Sequence, residues 1–142
     1  MPRYAILIKA TVTTEGKGTP AADTLTAIGK FNEEMVAAGI LLGGEGLRPI
    51  SEGYRVRFSA GDDAPSVING PFDLKDQSTI SGWWVIKVKD GEEALSWAKR
   101  IPFRGSQNAE VEVRRVSEME DFDMTEEQKE RETTLRAEVE GR

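Results

Sequence analysis

The most restrictive feature of this sequence is residues 3–10, a segment that is apolar on both faces of an extended strand. Its β-branched, aromatic and other apolar residues fall at both odd and even positions. Such a strand lies at the centre of a sheet and is buried by a layer on each side. Gly82–Val88, with two tryptophans, is the most hydrophobic strand candidate. The fold must therefore cover both faces of a sheet.

Capping residues and apolar stripes predict two helices. Thr19 supplies an N-cap and Pro20 the first helical position, so the first helix is expected from about residue 20 to about residue 38. Asp90 as N-cap, with an acidic first turn, begins a second, shorter helix. Their apolar stripes are Leu25, Ile28, Phe31 and Met35 in the first helix and Ala94, Leu95, Ala98 and Ile101 in the second.

Shorter strand candidates complete the sheet. Residues 41–48 and 54–59 are joined by a connection containing proline and glycine, which suits a hairpin between them. In the second of these strands, alternation predicts a core-facing side and a side that meets water or an acidic partner. The core-facing residues would be Tyr54, Val56 and Phe58, and the outward ones Arg55 and Arg57.

The order of the elements defines the fold class. Residues 66–81 are interpreted as a long loop containing a short strand at 67–68, and residues 110–116 alternate as a last strand. The order is then strand, helix, two strands, strand, helix, strand. We predict an α+β fold close to a ferredoxin-like βαββαβ unit with an additional strand.

Length and composition exclude several classes of protein. The 142 residues predict about one domain. The net charge of −6 argues against nucleic-acid binding and a polybasic membrane surface, and no apolar run approaches the roughly 20 residues that span a bilayer. Without cysteine or histidine, disulfides, thiolate and imidazole catalysis and the usual zinc sites are excluded. We expect a cytoplasmic protein with no metal and no cofactor.

The charge divides the chain into two parts. Residues 1–116 carry 15 acidic and 15 basic side chains, whereas residues 117–142 carry 10 acidic and 4 basic. We predict a domain over 1–116 and an acidic, helical tail over 117–142. The tail has few apolar residues, so it either lies against another subunit or frays.

Several segments resemble the YCII-related family, also called the DGPF-domain family. They are Asn69–Phe72 (Asn-Gly-Pro-Phe), Ser81–Val88 and Glu93–Ala98, with Ala38–Pro49 upstream and Glu110–Arg114 at the end. The resemblance covers about residues 3–116 in the family's order. It implies a ferredoxin-like fold whose sheet packs against a second copy to form a dimeric α+β barrel. A sheet that is apolar on both faces, with two helices to cover only one, agrees with such a homodimer.

The chain departs from the family pattern in the signature loop, in the residues that follow it and in having no histidine. Asn69 replaces the aspartate that opens the signature, and Asp73–Gln77 differs from the usual residues after Phe72. The His–Asp pair proposed as catalytic in some relatives cannot operate here, because the chain has no histidine. Asparagine supports a turn as well as aspartate does, so we favour a structural role for this loop over one that shapes a cleft.

Candidate binding residues follow from the predicted strands and the signature loop. An arginine-lined pocket would hold a small anion in bidentate fashion, whereas the simpler interpretation is solvated charge on an exposed sheet. Trp83 and Trp84 point to opposite faces, so one belongs to the core and the other to a barrel interior or subunit contact. The candidate ligand-binding residues are Arg48, Arg55, Arg57, Asn69, Phe72 and Trp83.

Two function classes remain. The first is a homodimeric binding or regulatory module for a small anionic or aromatic ligand, or for a protein partner. The second is a dimeric α+β barrel enzyme, an isomerase or a relative of small monooxygenases, that uses carboxylate or tyrosine acid–base chemistry. Its candidate catalytic residues are Asp73, Asp76, Glu45 and Tyr54. We place the binding module first, because no catalytic cluster replaces the missing histidine.

Overall fold

The computed structural model describes residues 1–11, 22–61, 64–75, 78–103 and 109–142. These residues form a mixed α+β fold, as predicted. The strands are β1 (Arg3–Lys9), β2 (Leu41–Gly46), β3 (Tyr54–Arg57), β4 (Ser66–Asn69), β5 (Ile80–Lys87) and β6 (Val111–Arg115). The helices are α1 (Ala22–Ala37), α2 (Gly91–Lys99) and α3 (Glu126–Glu140), with short 3₁₀ turns at Ile50–Glu52 and Met119–Asp121.

Four strands form one antiparallel sheet in the order β2–β5–β1–β6. The two most apolar segments of the sequence are its central strands, β1 and β5, which confirms their predicted position. Ile6 pairs with Trp84 on one side and with Val113 on the other. Partners that face each other across a ladder project to the same side of the sheet, so this register fixes which residues share a face.

The helices α1 and α2 cover one face of this sheet and enclose the core. Ile6, Met35, Ile86 and Val88 are fully buried there. Phe31 of α1 packs edge-to-face on Trp84 with ring centroids 5.7 Å apart, a favoured aromatic geometry. The indole of Trp84 donates a 2.9 Å hydrogen bond to the side-chain oxygen of Asn32, so its buried N–H is satisfied.

The helix ends follow the predicted capping chemistry where they are described. The carboxylate of Asp90 accepts a hydrogen bond from the Glu93 amide at 2.9 Å, and Glu93 accepts one from the Lys89 amide at 3.0 Å. Asp90 is therefore the N-cap predicted from the sequence, and Glu93 accepts its hydrogen bond from the residue before the cap. Gly39 has a φ of 73° just after α1, the left-handed position predicted for it. The predicted cap at Thr19 and Pro20 lies outside the described residues.

The predicted hairpin between residues 41–48 and 54–59 is wrong. β2 pairs with β5, and β3 instead pairs with β4 to form a separate two-stranded sheet. The 3₁₀ turn Ile50–Glu52 separates β2 from β3, and the two strands do not form a hairpin. The short strand predicted within residues 66–81 is present as β4 and provides the partner for β3.

The predicted faces of β3 are also reversed. Tyr54, Val56 and Phe58 were expected in the core, but 72%, 53% and 77% of their surfaces are exposed. Arg55, on the opposite face, is half-buried and shares that face with half-buried Ile68. The alternation of apolar and charged side chains predicted for β3 is present. Alternation alone does not indicate which side of a hairpin packs against the rest of the chain.

The acidic C-terminal segment contains the helix α3. Thr125 and Gln128 form its predicted capping box through hydrogen bonds of 2.8 and 3.2 Å. No residue of α3 is buried, and Leu135 and Val139 are 56% and 63% exposed. The helix therefore adds little to the core described above. Among the described residues, no helix is long and apolar enough to cross a membrane.

Candidate functional site

The sheet face opposite the helices has an apolar centre, and we call it the open face. Leu7 lies beside Trp83, and Ala5 lies beside Val85 across the β1–β5 ladder. All four are partly exposed, and none belongs to the core cluster beneath the helices. The strand alternation that sends Ile6 and Trp84 into the core sends these residues to the other side.

Charged side chains border the open face. Glu45 of β2 faces Trp83, and Glu112 of β6 faces Leu7. Glu112 lies 3.5 Å from the ammonium of Lys9 and 3.4 Å from the guanidinium of Arg114. An apolar centre with a charged rim is the composition of a protein–protein interface, and it also suits the wall of a ligand cleft.

The predicted arginines are not brought together in one pocket. Arg48 is exposed and lies 2.9 Å from Glu52, an ion pair within one turn. Arg57 is exposed on β3 opposite Ser66. Arg55 donates a 2.6 Å hydrogen bond to Thr79 and stacks over the Phe72 ring at 4.1 Å. These contacts make Arg55 a link between the β3–β4 hairpin and the chain leading into β5.

The Asn69–Phe72 loop packs tightly on the 3₁₀ turn. The Gly70 amide donates a 2.9 Å hydrogen bond to the Gly53 carbonyl. A Cβ placed on Gly70 would lie 1.7 Å from the Ile50 carbonyl oxygen, so no larger residue fits there without displacing backbone. Asn69 is exposed, opposite Tyr54. These contacts support the structural interpretation of the signature loop.

The candidate catalytic residues do not lie together in one site either. Asp73 is exposed and accepts a 2.9 Å hydrogen bond from the Lys75 amide, an Asx-type turn. Glu45 and Tyr54 are exposed on different sheets, and Asp76 lies outside the described residues. Within the described ranges, Thr79 is the only buried polar side chain, and no three acidic side chains group to hold a metal ion.

Sequence reasoning missed a groove at one end of the four-stranded sheet, which we call the strand-end groove. It has a volume of about 630 Å³ and lies where β1 begins and β5 and β6 end. Its charged lining residues are Arg3, Lys87, Lys89, Asp90, Arg115, Glu118 and Glu120. No motif indicates this site, because its residues come from three segments that only the strand register aligns.

One strong ion pair spans the strand-end groove. Arg3 donates two hydrogen bonds to the Glu118 carboxylate, at 2.8 and 3.1 Å, in a bidentate arrangement. This hydrogen bonding lowers the pKa of Glu118 below its ordinary value and raises that of Arg3. The pair ties the segment after β6 to the first residue of β1.

Comparison with models of protein families assigns the chain to a family. Residues 2–120 match the model of the YCII-related domain, which includes both sheets, α1, α2 and the signature loop and ends before α3. No curated protein matches the chain. Because the match spans most of the 142 residues, the chain belongs to the YCII-related domain family.

Proposed function

We propose that this chain is a homodimeric small-molecule-binding or regulatory module whose subunits associate through the open face. Each subunit would be a ferredoxin-like βαββαβ unit with the β3–β4 hairpin as its addition. The strand order β2–β5–β1–β6, with helices after β1 and β5, supports this topology. Two such sheets facing each other would form a dimeric α+β barrel.

The observation that carries this proposal is the apolar centre of the open face. Leu7, Trp83 and Val85 are partly exposed on the two central strands, the position with the most neighbours in any sheet. Large apolar side chains in the middle of a sheet are stabilised when a second layer removes them from water. A second copy supplies such a layer with the same shape and with charges of both signs at its rim.

A binding role is favoured over catalysis because the acidic side chains of the described residues are not buried. An acid–base enzyme needs a carboxyl or phenol whose environment shifts its pKa, and burial is the main source of such shifts. No carboxylate among the described residues is buried. The alternative, a barrel enzyme, is therefore supported by no specific contact. A cleft between two sheets requires only an apolar wall and a few polar groups to bind a ligand.

The dimer is tested by sedimentation of a charge variant. Leu7→Glu places a carboxylate at the centre of the open face, whereas Val67→Glu places one at a 61% exposed position of the hairpin. We expect wild type and Val67→Glu to sediment as dimers at micromolar concentration and folded Leu7→Glu as a monomer. A stable interface of this kind buries roughly 1,600 Å² in total.

Two results would overturn the dimer. One is a wild-type monomer at micromolar concentration, and the other is dissociation caused by Val67→Glu but not by Leu7→Glu. Circular dichroism shows whether Leu7→Glu is folded, and Ala5→Glu repeats the test at a neighbouring position of the same face. Binding is tested by a thermal-shift screen against small carboxylates, phosphates and phenolics, since a ligand specific to the folded state raises the melting temperature.

A further inference from the structure

The signature loop contains a dipeptide whose chemistry the proposed function does not use. Asn69 is followed by Gly70, whereas the other asparagines, Asn32 and Asn108, are followed by residues with a Cβ. Because glycine has no Cβ, its amide nitrogen can approach the side chain of the preceding asparagine closely. Asn69 is therefore the asparagine of this chain best suited to deamidation, the loss of the side-chain amide nitrogen.

Deamidation closes a ring and then opens it with water. The Gly70 amide nitrogen gives its proton to solvent and bonds to Cγ of Asn69, while the side-chain nitrogen takes up a proton and leaves as ammonia. Water then hydrolyses one of the two C–N bonds of the cyclic imide. The product is aspartate, or isoaspartate where the backbone now continues through the former side chain. Water enters and ammonia leaves, so the reaction needs no oxidant, reductant or cofactor.

The fold holds the Gly70 nitrogen in a position that opposes this reaction. Its N–H donates a 2.9 Å hydrogen bond to the Gly53 carbonyl, which opposes loss of the proton. Asn69 is the last residue of β4 and pairs with Tyr54, and ring closure requires its backbone to rotate away from the extended strand conformation. Gly70 has little room for this rotation, since an added Cβ would lie 1.7 Å from the Ile50 carbonyl oxygen.

We propose that Asn69 is a deamidation site that the packed signature loop protects and that reacts when the loop opens. Asn69 is exposed, so water reaches it without a further change in the fold. The loop is held by local contacts, which include the Gly70 hydrogen bond and the Arg55 guanidinium 4.1 Å over the Phe72 ring. Such contacts can be lost in local opening without unfolding of the core. Isoaspartate would lengthen the backbone at the end of β4 and prevent the loop from closing again, so the modification makes the opening permanent.

The test measures deamidation of Asn69 in the folded full chain and in the same chain unfolded in urea, both at the same mildly alkaline pH. In wild type and in both variants, the tryptic peptide that ends at Lys75 contains Asn69 as its only asparagine, and mass spectrometry quantifies its conversion. The test variant is Arg55→Ala, which removes the aromatic stacking, and the matched control is Arg57→Ala, an exposed arginine of the same strand. Exchange of the Gly70 amide proton, followed by NMR, measures loop opening independently.

We expect Asn69 to deamidate faster than Asn32 and Asn108 in the unfolded chain. In the folded chain it should react at least roughly tenfold more slowly than in the unfolded chain, because opening breaks a hydrogen bond and a stacking contact.

Arg55→Ala should accelerate both deamidation of Asn69 and exchange of the Gly70 proton by the same factor, roughly two- to fivefold, and Arg57→Ala should accelerate neither. The proposal is overturned if folded and unfolded chains react equally fast, if the two variants behave alike, or if Gly70 exchange accelerates without deamidation. Circular dichroism shows whether Arg55→Ala is folded. If it is not, urea below the unfolding transition of the wild type replaces the variant, and the two rates must again rise together.

Discussion

Replacing Gly70 by alanine tests whether the signature loop is held by packing against the 3₁₀ turn. The new Cβ would lie 1.7 Å from the Ile50 carbonyl oxygen, and ordinary contact begins at 3.4 Å. The loop must therefore move by about 1.7 Å, since the obstacle is backbone and not a flexible side chain. A movement of this size breaks the hydrogen bond from the Gly70 amide to Gly53.

The cost of this movement can be added up from the contacts that it disturbs. Loss of the amide hydrogen bond costs about 1 kcal/mol, and loss of the Arg55–Phe72 stacking costs about 0.5–1 kcal/mol. Strain from overpacking adds about 1–3 kcal/mol, and alanine returns about 0.5 kcal/mol by restricting the unfolded chain. We expect Gly70→Ala to lower the free energy of unfolding by about 2–4.5 kcal/mol.

The assay is urea unfolding followed by tryptophan fluorescence, with two glycine controls. A Cβ on Gly46 meets nothing within 4 Å, and one on Gly53 meets the Ile50 oxygen at an ordinary 3.5 Å. Both alanine variants should stay within about 1 kcal/mol of wild type. If Gly70→Ala also falls within that margin and keeps the wild-type denaturant slope, the loop is not packed on the turn as described and the reasoning is refuted.

Two further predictions concern the core and the strand-end groove. Asn32→Leu leaves the buried Trp84 indole N–H without its acceptor and should lower the free energy of unfolding by about 1–3 kcal/mol. The same substitution in a Trp84→Phe background should cost less, and an equal cost would contradict the hydrogen bond. Glu118 contributes stability at neutral pH that is lost as the pH falls through its lowered pKa, because protonation breaks the pair with Arg3. Glu118→Gln should therefore flatten the acid dependence of urea unfolding by at most about 1 kcal/mol, and an acid dependence as steep as that of the wild type would contradict the pair.

The elements that could be predicted from the sequence are those defined by local patterns. The apolar segments around Ile6 and Trp84 indicate central strands, and Asp90 with Glu93 indicates the start of α2. Each signal lies within one element and depends on side-chain periodicity or on a cap. The family resemblance, carried by short segments in a fixed order, was confirmed by the match to residues 2–120.

What could not be predicted depends on contacts between distant segments. The hairpin prediction failed because pairing β3 with β4 and not β2 depends on how the chain turns after Ile50, which periodicity does not encode. Arg55 was expected to be available for a ligand, but its contacts with Phe72 and Thr79 involve residues 17 and 24 positions away in the sequence. The sequence alone does not distinguish an arginine that stabilises a loop from one that is available to bind an anion.

The strand-end groove illustrates the same limit. Lys87 and Lys89 are ordinary lysines in the sequence, and only the strand register places Lys87 opposite Arg3. The acidic partner at this position comes from a distant segment and not from a neighbouring strand, because Glu118 accepts two hydrogen bonds from Arg3. This ion pair joins residues 115 positions apart, so neither side-chain periodicity nor a local motif could indicate it.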